Sequence, residues 1–147
     1  MKKIAIIGYG VVGGGITAVL EANAEKIESA VGEGVEVGYI LDLRDFPDSP
    51  YADRVVHDIQ PILDDPEVTL VCETMGGSHP ALEFSIACMK VGKSVVTSNK
   101  EVVANFGDRL LACAAECGVT YMFEAAVGGG IPVIRPFYTS LAGEKIS

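Results

Sequence analysis

In the stretch "GYGVVG", Gly8, Gly10 and Gly13 stand in the order G-x-G-x-x-G. At that spacing the first glycine permits a tight turn and the second lets a diphosphate approach the main chain. The third lets a helix pack close to the strand before it. The turn formed by Gly8, Tyr9, Gly10, Val11, Val12 and Gly13 would therefore hold an anionic diphosphate on a helix N-terminus. The competing reading is a glycine-rich turn that holds nothing, and only the elements on either side separate the two.

Two further residues bear on the ligand. An acid after the second strand of such a unit accepts the adenosine ribose hydroxyls of NAD, whereas an arginine there favours the 2′-phosphate of NADP. The segment "LDLRD" supplies both, as Asp42 and Arg44, and either also suits an ordinary solvated loop. The choice between NAD and NADP stays open. In "ETMGGSHP" the run Thr74-Met75-Gly76-Gly77 offers a hydroxyl and a close approach for a flat ligand, while His79 beside Pro80 reads as a surface or capping residue. In "VVTSNKEVVA", Lys100 falls where a helix begins. A cation is unfavourable at that positive dipole end, so its placement points to a carbonyl, ribose or carboxylate partner in a cleft. The alternative is an exposed solubilising lysine.

These residues need elements to position them. "KIAII" (3–7) is a continuous apolar run, the pattern of a strand buried on both faces. Ile16, Val19, Leu20, Ala24 and Ile27 then recur at helical spacing, predicting one helix over 16–27. Further strands are predicted at 35–41, 68–72, 95–97 and 119–123, with loop over 42–54 around Pro47 and Pro50. Helices are predicted over 80–91, ended by Gly92, and over 101–117, with Ser98 or Asn99 as N-cap and Gly118 as terminator. Another helix is predicted from Ile131, Pro132 lying in its first turn. Strands alternating with helices require crossovers, so the predicted fold is α/β: a doubly wound, mostly parallel sheet with helices on both faces. In such sheets ligands lie beyond the carboxyl ends of the strands, where every residue singled out above falls.

Composition narrows the classes. At 147 residues the chain is read as one domain (1–147), and 49% apolar with 21% charged residues is globular rather than disordered. A net charge of −9 without a basic stripe argues against nucleic acid. No run reaches the ~18 apolar residues of a membrane span. Cys72, Cys88, Cys113 and Cys117 are expected to be buried reduced thiols, and with them a cytoplasmic location is expected. The i, i+4 pair Cys113/Cys117 lacks a third ligand that would make it a metal site.

"GYGVVGGG", "ETMGG", "VVTSNKEVVA" and "FEAAVGGGIPVIRP" occur in the order and spacing of the homoserine dehydrogenases, which the whole chain resembles; Ser98 stands where alanine is more usual. The resemblance implies the Rossmann-type NAD(P)-binding domain of an oxidoreductase that interconverts L-homoserine and L-aspartate 4-semialdehyde, in the route to threonine and methionine. It implies Gly10, Val11, Val12 and Gly13 at the diphosphate, Thr74 at the nicotinamide half, Lys100 near the reacting centre and Gly130 on the nicotinamide side. It also implies a sodium ion held by Glu124, Val127, Gly129 and Ile131, largely through main-chain oxygens, as suits a hard cation. A substrate and dimerisation domain, with the proton donor, is expected beyond Ser147, so the 147 residues alone are expected to be inactive and the parent to be a homo-oligomer. Competing functional readings are a non-catalytic dinucleotide sensor and another amino-acid or semialdehyde dehydrogenase.

Overall fold

The computed structural model describes residues 2–123. Strand β1 (Lys2–Ile7) leads into helix α1 (Val11–Ala22), helix α2 (Ala24–Val31) and strand β2 (Val35–Leu41). After a loop and a single 3-10 turn (Ala52–Arg54) come β3 (Val55–Val56), α3 (Gln60–Asp64), β4 (Val68–Glu73), α4 (Ala81–Lys90), β5 (Ser94–Thr97), α5 (Lys100–Cys117) and β6 (Tyr121–Met122). The six strands form one sheet in the order β3-β2-β1-β4-β5-β6, and every pairing is parallel.

The apolar run of β1 explains the layering. Successive side chains of a strand point to opposite faces. Ile4 and Ile6 join Ile16, Leu20, Ile27 and Val31 under α1 and α2, while Ala5 and Ile7 join Ile62, Leu82, Val102 and Leu110 under α3, α4 and α5. All four β1 residues are fully buried, so neither face of the central strand can carry a polar side chain. Polar chemistry is thereby confined to the strand ends.

The structure corrects several expectations. The single helix over 16–27 begins at Val11 and is broken at Asn23, whose side-chain amide and main-chain N–H both donate to the Val19 carbonyl, at 2.9 and 3.0 Å. The apolar period runs through the break because both pieces pack on the same sheet face. β3 and α3 were not predicted, being two and five residues long. Too short to show a period, β3 is held by the register Ile40↔Val55 and Leu41↔Val56. The thiols divide: Cys72 and Cys88 are buried, with burial pushing both up to about 12, but Cys113 and Cys117 are half-buried; all four are free. The helix expected from Ile131 lies outside the described residues.

Candidate dinucleotide site

Strand order reverses between β1 and β4, and the two strands run side by side from Lys3↔Val68 to Ile7↔Glu73. The loops leaving them, 8–10 and 74–78, therefore part to opposite sides and open a crevice. Gly8 turns the chain at φ +89°, and its N–H donates to the Leu41 carbonyl at 2.7 Å. The Thr74 hydroxyl donates to the carbonyls of Ile7 (3.0 Å) and Gly8, tying the turn to β4. A Cβ on Gly13 would stand 2.5 Å from the Gly8 carbonyl oxygen, so only glycine lets α1 sit this close to the turn.

Gly10 is the N-cap of α1, no side chain caps that terminus, and its first turn holds no acidic residue. A Cβ on Gly10 would meet nothing within 4 Å. The site thus pairs a positive helix end with open space in front of it, the donor set and room that a dinucleotide diphosphate requires.

On the β2 side, the Asp42 carboxylate accepts from the Tyr9 N–H (2.9 Å), the Arg44 N–H (2.9 Å), Arg44 Nε (3.1 Å) and Arg44 Nη2 (3.0 Å). The Arg44 guanidinium, followed by the two main-chain donors, holds this carboxyl well below the usual carboxylate range against the opposing effect of burial. Arg44 lies over the Phe46 ring at 5.1 Å, and Phe46 meets Tyr9 edge to face at 5.0 Å. The two residues that sequence reading set as alternatives are thus a single ion pair, with Arg44 64% and Asp42 9% exposed.

His57 braces the same loop. Nδ1 lies 2.7 Å from the Asp42 carbonyl oxygen and Nε2 2.9 Å from Asp45 Oδ1. Neither acceptor can donate, so the imidazolium form satisfies both, and the His57 pKa is raised, first by the Asp42 carbonyl.

On the β4 side, Glu73 is fully buried. The register Glu73↔Thr97 sets it against the Thr97 hydroxyl, which donates at 2.7 Å. Its other oxygen accepts from the Met75 N–H at 2.8 Å and Asn99 Nδ2 at 3.3 Å. Burial raises the Glu73 carboxyl from the ordinary range, opposed by those three donors. Asn99 also donates to the Gly77 carbonyl at 2.6 Å and caps α5 by accepting from the Val102 N–H at 3.0 Å. The N-cap of α5 is therefore Asn99, one of the two residues predicted. Glu101 accepts from the Ser78 N–H at 2.9 Å. Lys100, between Asn99 and Glu101, is the first residue of α5 and is exposed. Met75 and Gly76 lie in the loop so held, and a Cβ on Gly76 would meet nothing within 4 Å. His79 is a surface residue, paired with Glu83 at 2.7 Å. Glu124, Val127, Gly129, Gly130 and Ile131 lie outside the described residues.

The model of the family described as homoserine dehydrogenase, NAD binding domain, matches residues 8–124. The chain belongs to this family. The homoserine dehydrogenase of Pseudomonas aeruginosa is 41% identical over 146 residues, covering 99% of this chain and 34% of the relative. That of Bacillus subtilis is 30% identical over 149 residues, again 99% of this chain and 34% of the relative. The crystal structure of a homoserine dehydrogenase from Thiobacillus denitrificans superposes with a TM-score of 0.81 at 37% identity, covering 91% of this chain and 32% of that one. The chain thus spans about a third of the length of the curated relatives it matches. The homoserine dehydrogenase match takes in the glycine turn, the Asp42–Arg44 pair, loop 74–78 and Lys100. Among the described residues no helix is long and apolar enough to cross a membrane, and no group of three or more metal-ligating side chains gathers.

Sequence reading found the turn and both its flanking elements. It missed the role of Glu73 and of the Asn99 and Glu101 struts. The available signal was an acid as the last residue of an apolar strand, two residues ahead of a glycine pair.

Proposed function

We propose that this chain is the dinucleotide-holding domain of an NAD(P)-dependent oxidoreductase that interconverts L-homoserine and L-aspartate 4-semialdehyde, a step toward threonine and methionine. The observation that carries the reading is the α1 N-terminus, uncapped by any side chain and packed through Gly13 on the turn at the strand-order switch. Gly8, Tyr9, Gly10, Val11, Val12 and Gly13 present main chain to the diphosphate. Asp42 and Arg44 take the adenosine end, and Thr74, Met75 and Gly76 line the nicotinamide end. The nicotinamide, when bound, supplies or accepts the hydride. Lys100 neutralises negative charge on cofactor or substrate beside the reacting carbon, and we assign it the catalytic contribution of this domain. Gly130 on the nicotinamide side, and a sodium ion on Glu124, Val127, Gly129 and Ile131, complete the reading. The enzyme works in the cytoplasm as a homo-oligomer, with substrate grip, proton donation and dimerisation supplied by a separate domain.

Calorimetric titration of the chain with NAD⁺ and NADP⁺ tests this. Because Arg44 occupies the Asp42 carboxylate, Asp42→Ala is expected to weaken NAD⁺ and leave Arg44 free for the 2′-phosphate of NADP⁺. Arg44→Ala is expected to weaken NADP⁺ alone. Failure of the unaltered chain to bind either dinucleotide sinks the proposal.

A further inference from the structure

The least expected group in the fold is the Glu73 carboxylate. Glutamate is almost never fully buried unless paired with a cation, and here the three partners are a hydroxyl, a main-chain N–H and a side-chain amide. An apolar side chain in the same space would avoid that desolvation. The partners come from three segments: Thr97 from the end of β5, Met75 from loop 74–78, and Asn99 from the cap of α5. Asn99 in turn holds the Gly77 carbonyl at 2.6 Å, where the backbone runs at φ +82°. From the next turn of α5, Asn105 Nδ2 donates to Ser78 Oγ at 3.0 Å, beside the Glu101 contact to the Ser78 N–H. Loop 74–78 is thus fastened at its start by Glu73 and at its end by α5, with Asn99 joining the two fastenings.

Lys100 is flanked on the chain by Asn99 and Glu101, both of which hold that loop. The loop and the lysine therefore share one frame, with Glu73 at its base. The adenosine side lies outside the Glu73 hydrogen bonds: Asp42, Arg44 and Tyr9 bond to one another, and the link between the two sides runs through the Thr74 hydroxyl on the Ile7 and Gly8 carbonyls.

Building on the dinucleotide reading above, we propose that Glu73 is a positioning residue for the nicotinamide half of the ligand. It sets the spacing between loop 74–78 and the first turn of α5 without touching the ligand itself. Glu73→Gln keeps the shape but removes the charge and replaces one acceptor oxygen by an NH2 group, so the Thr97 hydroxyl must turn from donor to acceptor and the charge-assisted bonds that hold the frame are lost.

The test separates the two halves of the ligand. NADH binding is followed by nicotinamide fluorescence and ADP-ribose binding by calorimetry, with the urea midpoint as the folding control. In Glu73→Gln, NADH affinity is expected to fall about tenfold while ADP-ribose affinity holds within about twofold, the loss of one well-placed charged hydrogen-bond set. Thr97→Val, which at nearly constant volume removes the hydroxyl that donates to Glu73 and accepts from the Asn99 N–H, is expected to show the same split at about threefold. It carries the test if Glu73→Gln does not fold. Equal losses for both ligands in a folded variant, or no loss for NADH, overturn the proposal. Should the unaltered chain bind ADP-ribose but not NADH, this inference fails while the site at α1 stands. If it binds neither, the dinucleotide reading itself fails.

Discussion

Helices α1 and α5 begin at the same edge of the sheet, each just after a parallel strand, yet their N-termini are finished in opposite ways. At α5, Asn99 supplies a side-chain cap and Glu101 an acid in the first turn, and both also hold loop 74–78. At α1, the cap position is a glycine and the first turn has no acid. An N-cap side chain stabilises a helix by about 1 kcal/mol over alanine, so a terminus left to glycine forgoes local stability for access. The α5 terminus is closed by its own side chains, whereas the α1 terminus is left open, as the dinucleotide reading proposed above requires.

The sharpest way to break this contrast is to crowd α1. Gly13→Val places side-chain atoms where even a Cβ stands 2.5 Å from the Gly8 carbonyl oxygen, and is expected to cost about 3 kcal/mol by urea unfolding and to abolish dinucleotide binding. Asn99→Ala removes a cap and leaves the Gly77 carbonyl and Glu73 short of a donor. The expected loss is about 2 kcal/mol, again from the urea midpoint. The converse change gives α1 what α5 already has. Gly10→Asp is expected to stabilise the fold by a few tenths of a kcal/mol and to weaken NADH binding at least about tenfold by fluorescence titration, because a carboxylate then occupies the anion's place. A drop in stability, or unchanged affinity, would show that the α1 terminus is not the receptor.

Gly15→Ala is a gentler probe of the same helix. Gly15 is exposed, and a Cβ there meets nothing within 4 Å, so the substitution is expected to stabilise by about 0.5–1 kcal/mol with binding intact. The smallest effect expected is from His57. Its folded pKa is raised above the ordinary 6.5, so its contribution is fully present below that pH and is lost as pH rises through the raised value. Urea midpoints between pH 5.5 and 8.5 should fall with rising pH slightly more for the unaltered chain than for His57→Ala.

What could be read in the sequence follows from physical scale. The glycine turn and the doubly buried β1 declare themselves because each residue in them has one local reason to be there. The break at Asn23 was hidden because Ile16, Leu20 and Ile27 serve the same core on both sides of it. Strand β3 exists through pairing with Ile40 and Leu41, far away in the chain, and two valines carry no period of their own. The opposition of Asp42 and Arg44 dissolved into a pair because side chains two residues apart beyond a strand end can fold back on each other. Glu73 was illegible as a frame, since its partners converge from positions 75, 97 and 99 only once β4 and β5 are in register.

The seam between β1 and β4 is stitched at both ends, by Lys3 to Asp65 (3.1 Å) and Glu67 (3.2 Å) at one end and by Thr74 to the Ile7 and Gly8 carbonyls at the other. The second stitch is itself the first residue of one wall, loop 74–78. Residues 42–46 close on Tyr9, the neighbour of Gly8, so the two walls meet at the glycine turn. A substitution that shifts that turn is expected to be felt on both sides of the crevice at once. The short turn thus acts as a shared hinge pin rather than as a spacer between independent halves.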